Sequence, residues 1–428
     1  MNFLLSAGEA SGDTYGAQLA EALREFPPSA TFFGMGGEKM RASGCELLVH
    51  ANEVAVVGLV EVVKHLPDIR RRFKHLVAEA ARRKPDAAVL IDFPDFNLRL
   101  ARELHKLGIP VFYFVSPQIW AWRTGRVKQI KKYVRKMIVI FPFEQEFYHG
   151  HGVKVSYVGH PLAYAPPPQV SREEFAARHS LDPKKQWIAL LPGSRRKEVA
   201  LNLPAMIKAA GLLEKQDGEF EFLIPVASTL SQDWLREQLQ AQGLKPGSIT
   251  APNAALKGRS STENLAFDAA NSLRSPSPEG EAWGRSSIAI HLTDNARDTL
   301  THSRAAVVAS GTATVEAALS GTPFVVVYRL APLTWILGRR LVRLDTFAMP
   351  NLIAGEKIVP ELIQRDFTAE NVMRELAAII PDGPPRRKMK NALKIVQQRL
   401  HNRIDAEPPA VRAAREVLAG IQGGENGQ

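Results

Sequence analysis

Two short turns in the second half of this chain have the residue types of an anion seat. The apolar run Ala305-Ala306-Val307-Val308 leads into Ala309-Ser310-Gly311-Thr312-Ala313-Thr314-Val315-Glu316. A strand feeding a glycine turn, with Ser310, Gly311, Thr312 and Thr314 at the start of a helix, aims free backbone N–H groups and the positive helix end at whatever fills the turn. Upstream, Trp187-Ile188-Ala189-Leu190-Leu191 runs into Pro192-Gly193-Ser194-Arg195-Arg196-Lys197-Glu198. One such turn is an ordinary strand–helix connection. Two of them, one basic and one ending in a carboxylate, point to a nucleoside diphosphate, held at the basic one by Gly193, Ser194 and Arg195, with Arg195 on phosphate and Glu316 on ribose hydroxyls.

The first half carries carboxylates in corresponding places. After the strand Phe3 to Ser6 comes Ser6-Ala7-Gly8-Glu9-Ala10-Ser11-Gly12-Asp13. Gly8 and Ser11 let the backbone approach a ligand, and Ser11 or Asp13 is expected to cap the following helix. Capping leaves Glu9 unexplained, and its place is that of a group that binds hydroxyls. The strand Ala88-Val89-Leu90-Ile91 ends in Asp92-Phe93-Pro94-Asp95-Phe96-Asn97. Asp92 beside two phenylalanines is expected to be desolvated, with a raised pKa suited to general-base work, while Asp95 or Asn97 caps a helix over 98–107. Next, Phe114-Val115 enters Ser116-Pro117-Gln118-Ile119-Trp120-Ala121-Trp122-Arg123, where Gln118 and Trp120 suit a sugar or acyl surface. From Arg123 through Lys136 there are seven Lys or Arg and no acid, either a solvated helix face or a contact for an anionic partner.

These groups need a scaffold that brings strand ends together. Candidate strands at Phe3 to Ser6, Thr31 to Met35, Ala87 to Ile91, Pro110 to Val115, Met137 to Phe141 and Val155 to Val158 alternate with helical periodicity. That alternation predicts a parallel sheet covered on both faces. Tyr164-Ala165-Pro166-Pro167-Pro168 predicts a linker. The pattern then repeats, with strands near 187–192, 221–226, 287–292, 305–309 and 324–328. The fold class is α/β: two Rossmann-like domains facing a cleft, over 1–165 and 166–385, with a helical segment at 386–428 packing back on the core. Residues 254–286, rich in Ser, Asn, Gly and Pro, are expected to be a disordered insertion.

A chain of 428 residues exceeds most single cores, which agrees with two domains. Its one cysteine, Cys45, forbids an internal disulfide and suits a reducing compartment. No run approaches the roughly 18–20 apolar residues of a membrane span, and the N-terminus has the character of a first strand, so a cytoplasmic protein is expected. The net charge of +11 leaves nucleic acid, lipid surfaces and phosphorylated substrates open as partners. No Gly-x-Gly-x-x-Gly follows the first strand, which disfavours a nicotinamide cofactor. The stretch Val54 to Val63, containing Val56, Val57, Leu59, Val60 and Val63, precedes a cluster with Arg70, Arg71 and Arg72. It has the composition of an interfacial membrane contact and equally that of a buried helix.

Taken together, the chain resembles the lipid-A-disaccharide synthase family of inverting glycosyltransferases. The resemblance rests on Gly8-Glu9-Ala10-Ser11-Gly12-Asp13, Val57-Gly58-Leu59-Val60-Glu61-Val62, Ile91-Asp92-Phe93-Pro94-Asp95-Phe96-Asn97, and Val115 to Arg123. It continues through Phe141-Pro142-Phe143-Glu144, Val158-Gly159-His160-Pro161-Leu162, Leu190 to Arg195, Ser310 to Glu316, and Met349 to Gly355. The 254–286 insertion departs from the family pattern. The resemblance implies transfer of 2,3-diacylglucosamine from UDP-2,3-diacylglucosamine to 2,3-diacylglucosamine 1-phosphate, giving a β-1,6 disaccharide and UDP. It implies Asp92 as base with Glu9 as rival, Arg195 and the 310–314 turn on the leaving UDP, and Gly8, Ser11, Asn97, Gln118 and Trp120 around acceptor and sugar. It further implies no cofactor, no metal, no nucleic-acid partner and a peripheral place on the inner membrane. Within the class, the peptidoglycan-precursor N-acetylglucosaminyltransferase and a UDP-sugar epimerase are the alternatives; outside it, a basic lipid-surface or nucleic-acid binder without turnover.

Overall fold

The computed structural model describes residues 1–54, 59–122, 124–217, 219–250, 288–330, 346–401 and 407–422. Two seven-stranded parallel sheets organise them. The first contains β1 (Asn2–Ala7), β2 (Thr31–Gly36), β3 (Cys45–His50), β4 (Ala87–Ile91), β5 (Val111–Phe114), β6 (Lys136–Val139) and β7 (Val155–Tyr157), in the order β3-β2-β1-β4-β5-β6-β7. The second contains β8 (Gln186–Leu191), β9 (Phe220–Pro225), β10 (Ile249–Thr250), β11 (Ile290–Thr293), β12 (Ala305–Ala309), β13 (Phe324–Tyr328) and β14 (Glu361–Ile363), in the order β10-β11-β9-β8-β12-β13-β14.

Helices on both faces explain why the central strands are apolar throughout. In β4 all five residues are buried; Val89 and Ile91 enter the core on one face and Ala88 and Leu90 the core on the other. The strands expected from sequence appear within a few residues of their places. The apolar pattern does not announce β3, β10 and β14: β10 and β14 have two and three residues, and β3 is an edge strand whose register to β2 shifts at Gly34/Met35. The 254–286 segment lies outside the described residues.

Strand order reverses between β1 and β4 in the first sheet and between β8 and β12 in the second. Ligands of open α/β sheets bind beyond the carboxyl ends of strands at such points. The turns carrying Glu9, Asp92, Arg195 and Gly311 follow these four strands.

The C-terminal helices tie the halves together. Helix Pro384–Leu400 buries Met389, Leu393, Val396 and Leu400 against the second sheet's core, whereas Pro409–Gln422 buries Ala413, Ala414 and Val417 against the first. Between them, the Leu400 carbonyl accepts from the His160 backbone N–H at 3.0 Å and the Arg399 carbonyl from the Tyr157 hydroxyl at 2.6 Å.

Candidate active site

The β4 turn is built under strain. Asp92 and Phe93 take left-handed backbone angles, φ 45° and 51°, and on the neighbouring strand end Val115 has φ 62°. A β-branched residue there is a steric outlier, each such residue costing about 1–3 kcal/mol, and strain of this kind gathers at functional sites. The Asp92 N–H reaches the Phe114 and Val115 carbonyls, both at 3.3 Å. The Tyr113 hydroxyl donates to the Asp92 carbonyl at 2.6 Å. These contacts fix the main chain and leave the Asp92 carboxylate for other work. Burial, then the nearby Glu9 charge, pushes that carboxyl up to about 7, against a weaker opposing hydrogen bond from the Phe93 backbone.

Asn97 has a different role from the one expected. It is fully buried, and its amide donates to the Ser6, Ile91 and Asp92 carbonyls at 3.2, 3.1 and 2.8 Å while accepting the Ser6 hydroxyl at 2.7 Å. It cross-links the ends of β1 and β4, and no polar atom remains for a sugar. Neither does it cap: helix Pro94–Lys106 begins after Phe93 with no side-chain cap.

In the β1 turn, helix Ala10–Arg24 starts after Glu9, again without a side-chain cap. Asp13 is turned elsewhere, accepting the backbone N–H groups of Gly37, Lys39 and Met40 at 2.7, 3.0 and 3.0 Å, so it caps the helix Glu38–Ala42. Ser11 is exposed. A Cβ on Gly8 would stand 2.3 Å from the Phe93 ring, so this glycine is required by a side chain from the β4 turn. Glu9 stays exposed at the rim, its carboxylate 3.9 Å from the Arg195 guanidinium of the second half.

The two second-half turns differ. After β8, the Ser194 N–H and the Arg195 guanidinium both donate to the Glu198 carboxylate, at 3.3 and 3.2 Å, and the Thr229 hydroxyl holds the Ser194 carbonyl. After β12, Gly311 has φ 144° with nothing within 4 Å of where a Cβ would stand, so its backbone faces open space. Thr312 is exposed there. Thr314 is fully buried and donates to the Gly311 carbonyl at 2.7 Å, which makes it a brace for the turn instead of a ligand. Glu316 is half-buried, and burial raises its carboxyl pKa against the Arg297 charge.

Trp120 is also redirected. Its ring meets Phe143 edge-on at 4.9 Å and packs against the second sheet's core, and its indole N–H donates to Glu144 at 3.2 Å. It is a seam between the halves. Gln118, two residues earlier, is exposed at the rim.

Sequence reasoning missed two groups. Glu144, fully enclosed, is pushed up to about 8 by burial despite hydrogen bonds from Phe141, Trp120 and Ser116, with Asp92's charge adding to the rise. Its stretch, Phe141 to Glu144, counted toward the family resemblance, but an acid in the first turn after Pro142 is something any helix can show and gave it no role. Tyr15 is buried and its hydroxyl is pushed up to about 12, by burial and then by the charges of Glu316 in one half and Asp92 in the other, so it stays neutral. One tyrosine on an amphipathic helix gives no signal at all.

Of the apolar stretch, Val56 and Val57 lie outside the described residues. Leu59, Val60 and Val63 belong to the helix Leu59–Arg83, with side chains outside the described set. Leu66, Arg70 and Arg71 on that helix are exposed. Among the described residues, no helix is long and apolar enough to cross a membrane.

The family model described as lipid-A-disaccharide synthetase matches residues 3–263 and 256–414. A lipid-A-disaccharide synthase from Koribacter versatilis is 50% identical over 423 residues, covering 99% of each chain. One from Acidobacterium capsulatum is 49% identical over 93% of this chain and 92% of its own, and one from Coxiella burnetii 39% over 88% of each. Among solved structures, the UDP-GlcNAc 2-epimerase of Neisseria meningitidis superposes with TM-score 0.55 at 13% identity, covering 99% of this chain and 100% of its own. The calicheamicin glycosyltransferase gives 0.54 at 14%, over 98% of each chain. Likeness at that identity speaks for the fold alone, the two-sheet architecture of glycosyltransferases and UDP-sugar epimerases.

Proposed function

The chain belongs to the lipid-A-disaccharide synthase family and is a glycosyltransferase, and from that premise we propose the reaction and the residues that perform it. UDP-2,3-diacylglucosamine gives its sugar to the 6-hydroxyl of 2,3-diacylglucosamine 1-phosphate, forming the β-1,6 disaccharide 1-phosphate and UDP with inversion. Residues 1–165 carry the base and the acceptor, and 166–385 hold the UDP-sugar.

The observation that carries this reading is the half-buried Asp92, with a pKa near 7, at the first sheet's switch point. A base is most useful when its pKa lies near working pH. Ionised Asp92 takes the acceptor proton as the hydroxyl oxygen attacks C1 from the face opposite UDP. The C1–O bond to phosphate breaks, and charge grows on the β-phosphate. Arg195, the Ser194 N–H and the backbone at Gly311 and Thr312 meet that charge, preorganised donors acting where charge develops. Glu316 receives the ribose hydroxyls, and Glu9 both keeps Asp92 basic and faces the incoming hydroxyls. Gln118 and Ser11, exposed at the same rim, are left to contact sugar.

Replacing Asp92 with Asn should lower turnover by about a hundredfold or more while UDP affinity holds. Near-normal turnover would move the role of base to Glu9. Whole-chain family membership favours this reaction over the peptidoglycan-precursor transferase and the epimerase.

Both substrates carry acyl chains, which supports a peripheral place at the cytoplasmic face of the inner membrane. Exposed Leu66 beside Arg70 and Arg71 agrees with helix Leu59–Arg83 as the contact, at roughly 1 kcal/mol per basic residue near an anionic surface. In flotation with anionic vesicles, a folded Val57/Val60→Ser variant should float less than the parent; equal flotation would place the contact elsewhere.

A further inference from the structure

Resting on the reading of the β8 turn as the seat of the diphosphate, we propose that Glu198 is an intramolecular stand-in for phosphate, competing with the nucleotide for that seat and setting how tightly UDP is held.

The two oxygens of its carboxylate do what two phosphate oxygens would do. Glu198 Oε2 accepts the Ser194 backbone N–H at 3.3 Å, and Oε1 accepts the Arg195 Nη1–H at 3.2 Å. The carboxylate lies over the turn itself, Oε2 falling 2.9 Å from where a Cβ on Gly193 would stand. An amide and a guanidinium converging on one anion is the geometry by which helix N-termini and arginines take phosphate. The seat is therefore occupied by an acid from its own helix.

Ordinary capping accounts for only part of this. A glutamate in the third helical position reaches back to the N-cap amide. Helix Arg196–Asp217 follows Arg195, so the N-cap amide is that of Arg195, and Glu198 reaches past it to Ser194. The first turn is closed separately by the Val199 N–H on the Arg195 carbonyl at 3.0 Å. The Thr229 hydroxyl holds the Ser194 carbonyl from the other side. Withdrawing the Glu198 side chain leaves the turn's backbone supported, and with 29% of that side chain exposed a rotamer change carries the carboxylate into solvent. Glu9, 3.9 Å from the other terminal nitrogen of Arg195, is a second anion competing for the guanidinium.

A ligand that must displace an internal occupant loses affinity in proportion to how often the seat is filled. For a pair this exposed, that factor is at most about fivefold. The competition also helps expel UDP after reaction, because the returning carboxylate meets the same donors.

Calorimetric titration of the full-length protein with UDP and with uridine tests this. Glu198→Gln should tighten UDP binding by about fivefold and leave uridine, which has no phosphate, unchanged. Glu198→Asp, one methylene shorter, should tighten UDP in the same direction, and thermal unfolding confirms that each variant is folded. Unchanged or weakened UDP binding in a folded Glu198→Gln protein would overturn the proposal and leave Glu198 as a cap that orients Arg195. A parent protein that binds UDP no better than uridine would overturn the placement of the diphosphate on the β8 turn, and the proposal with it.

Discussion

The Glu9 carboxylate and the Arg195 guanidinium stand 3.9 Å apart, one on the turn after the first strand and the other on the turn after the eighth. The pair joins the halves at the carboxyl ends of their sheets. It brings the turn proposed to hold the base next to the turn proposed to hold the phosphates. With the two side chains 45% and 59% exposed, the contact is worth little as a clamp. Its value is as a marker of where the two switch points meet.

Glu9 raises the pKa of Asp92 by its charge, second only to burial. The base must be ionised, so kcat/KM should fall as pH drops below about 7 and level off above it. Glu9→Gln removes a like charge and should move that acid limb to lower pH. The profile of kcat/KM, measured from about pH 5 to about pH 9, reports groups of the free enzyme. A limb that stays in place would mean Asp92 is not the group being titrated.

Asp92 should also cost stability where it serves function. Its folded-state pKa, about 7, lies above the ordinary 3.8, so the folded chain holds the proton more tightly. Stability from this group is present at low pH and is lost as pH rises from about 4 through about 7. At pH 8 the Asp92→Asn variant should unfold later than the parent, by about 1–2 kcal/mol allowing for partial exposure, and the advantage should vanish near pH 4. Denaturant melts at the two pH values decide it; equal stability at the higher pH would remove the desolvation argument.

Much of this arrangement was legible in the sequence, and for a physical reason. Buried parallel strands are continuous apolar runs, so β4 and β12 announce themselves, and the turns after them are fixed to within a residue. Which side chains in those turns face the cleft was not legible. Asn97 and Thr314 have the composition of ligands, yet both point inward and spend their polar atoms on the protein itself, on backbone carbonyls and, for Asn97, on the Ser6 hydroxyl as well. Trp120 resembles a sugar platform and instead seals the seam between the halves. Direction is set by tertiary packing, such as the Phe93 ring against Gly8, which no local spacing encodes.

Asn97 should therefore behave as a positioning residue. Asn97→Ala leaves three carbonyls and the buried Ser6 hydroxyl without this partner, at a cost of about 2–4 kcal/mol. Because the lost bonds hold the Asp92 main chain, kcat should drop about tenfold or more, with UDP affinity unchanged. A variant that loses UDP binding while keeping kcat would return Asn97 to the ligands.

The proposed reaction joins two acylated sugars between the two facing switch points and releases UDP. The direct measurement is UDP formation by the purified protein given UDP-2,3-diacylglucosamine and 2,3-diacylglucosamine 1-phosphate, together and singly, with the lipid product identified by mass. UDP should appear one for one with a disaccharide 1-phosphate, only when both lipids are present, and should fall by about a hundredfold or more in Asp92→Asn. UDP release without the acceptor, equal turnover of UDP-N-acetylglucosamine lacking acyl chains, or no turnover of the pair would contradict the account.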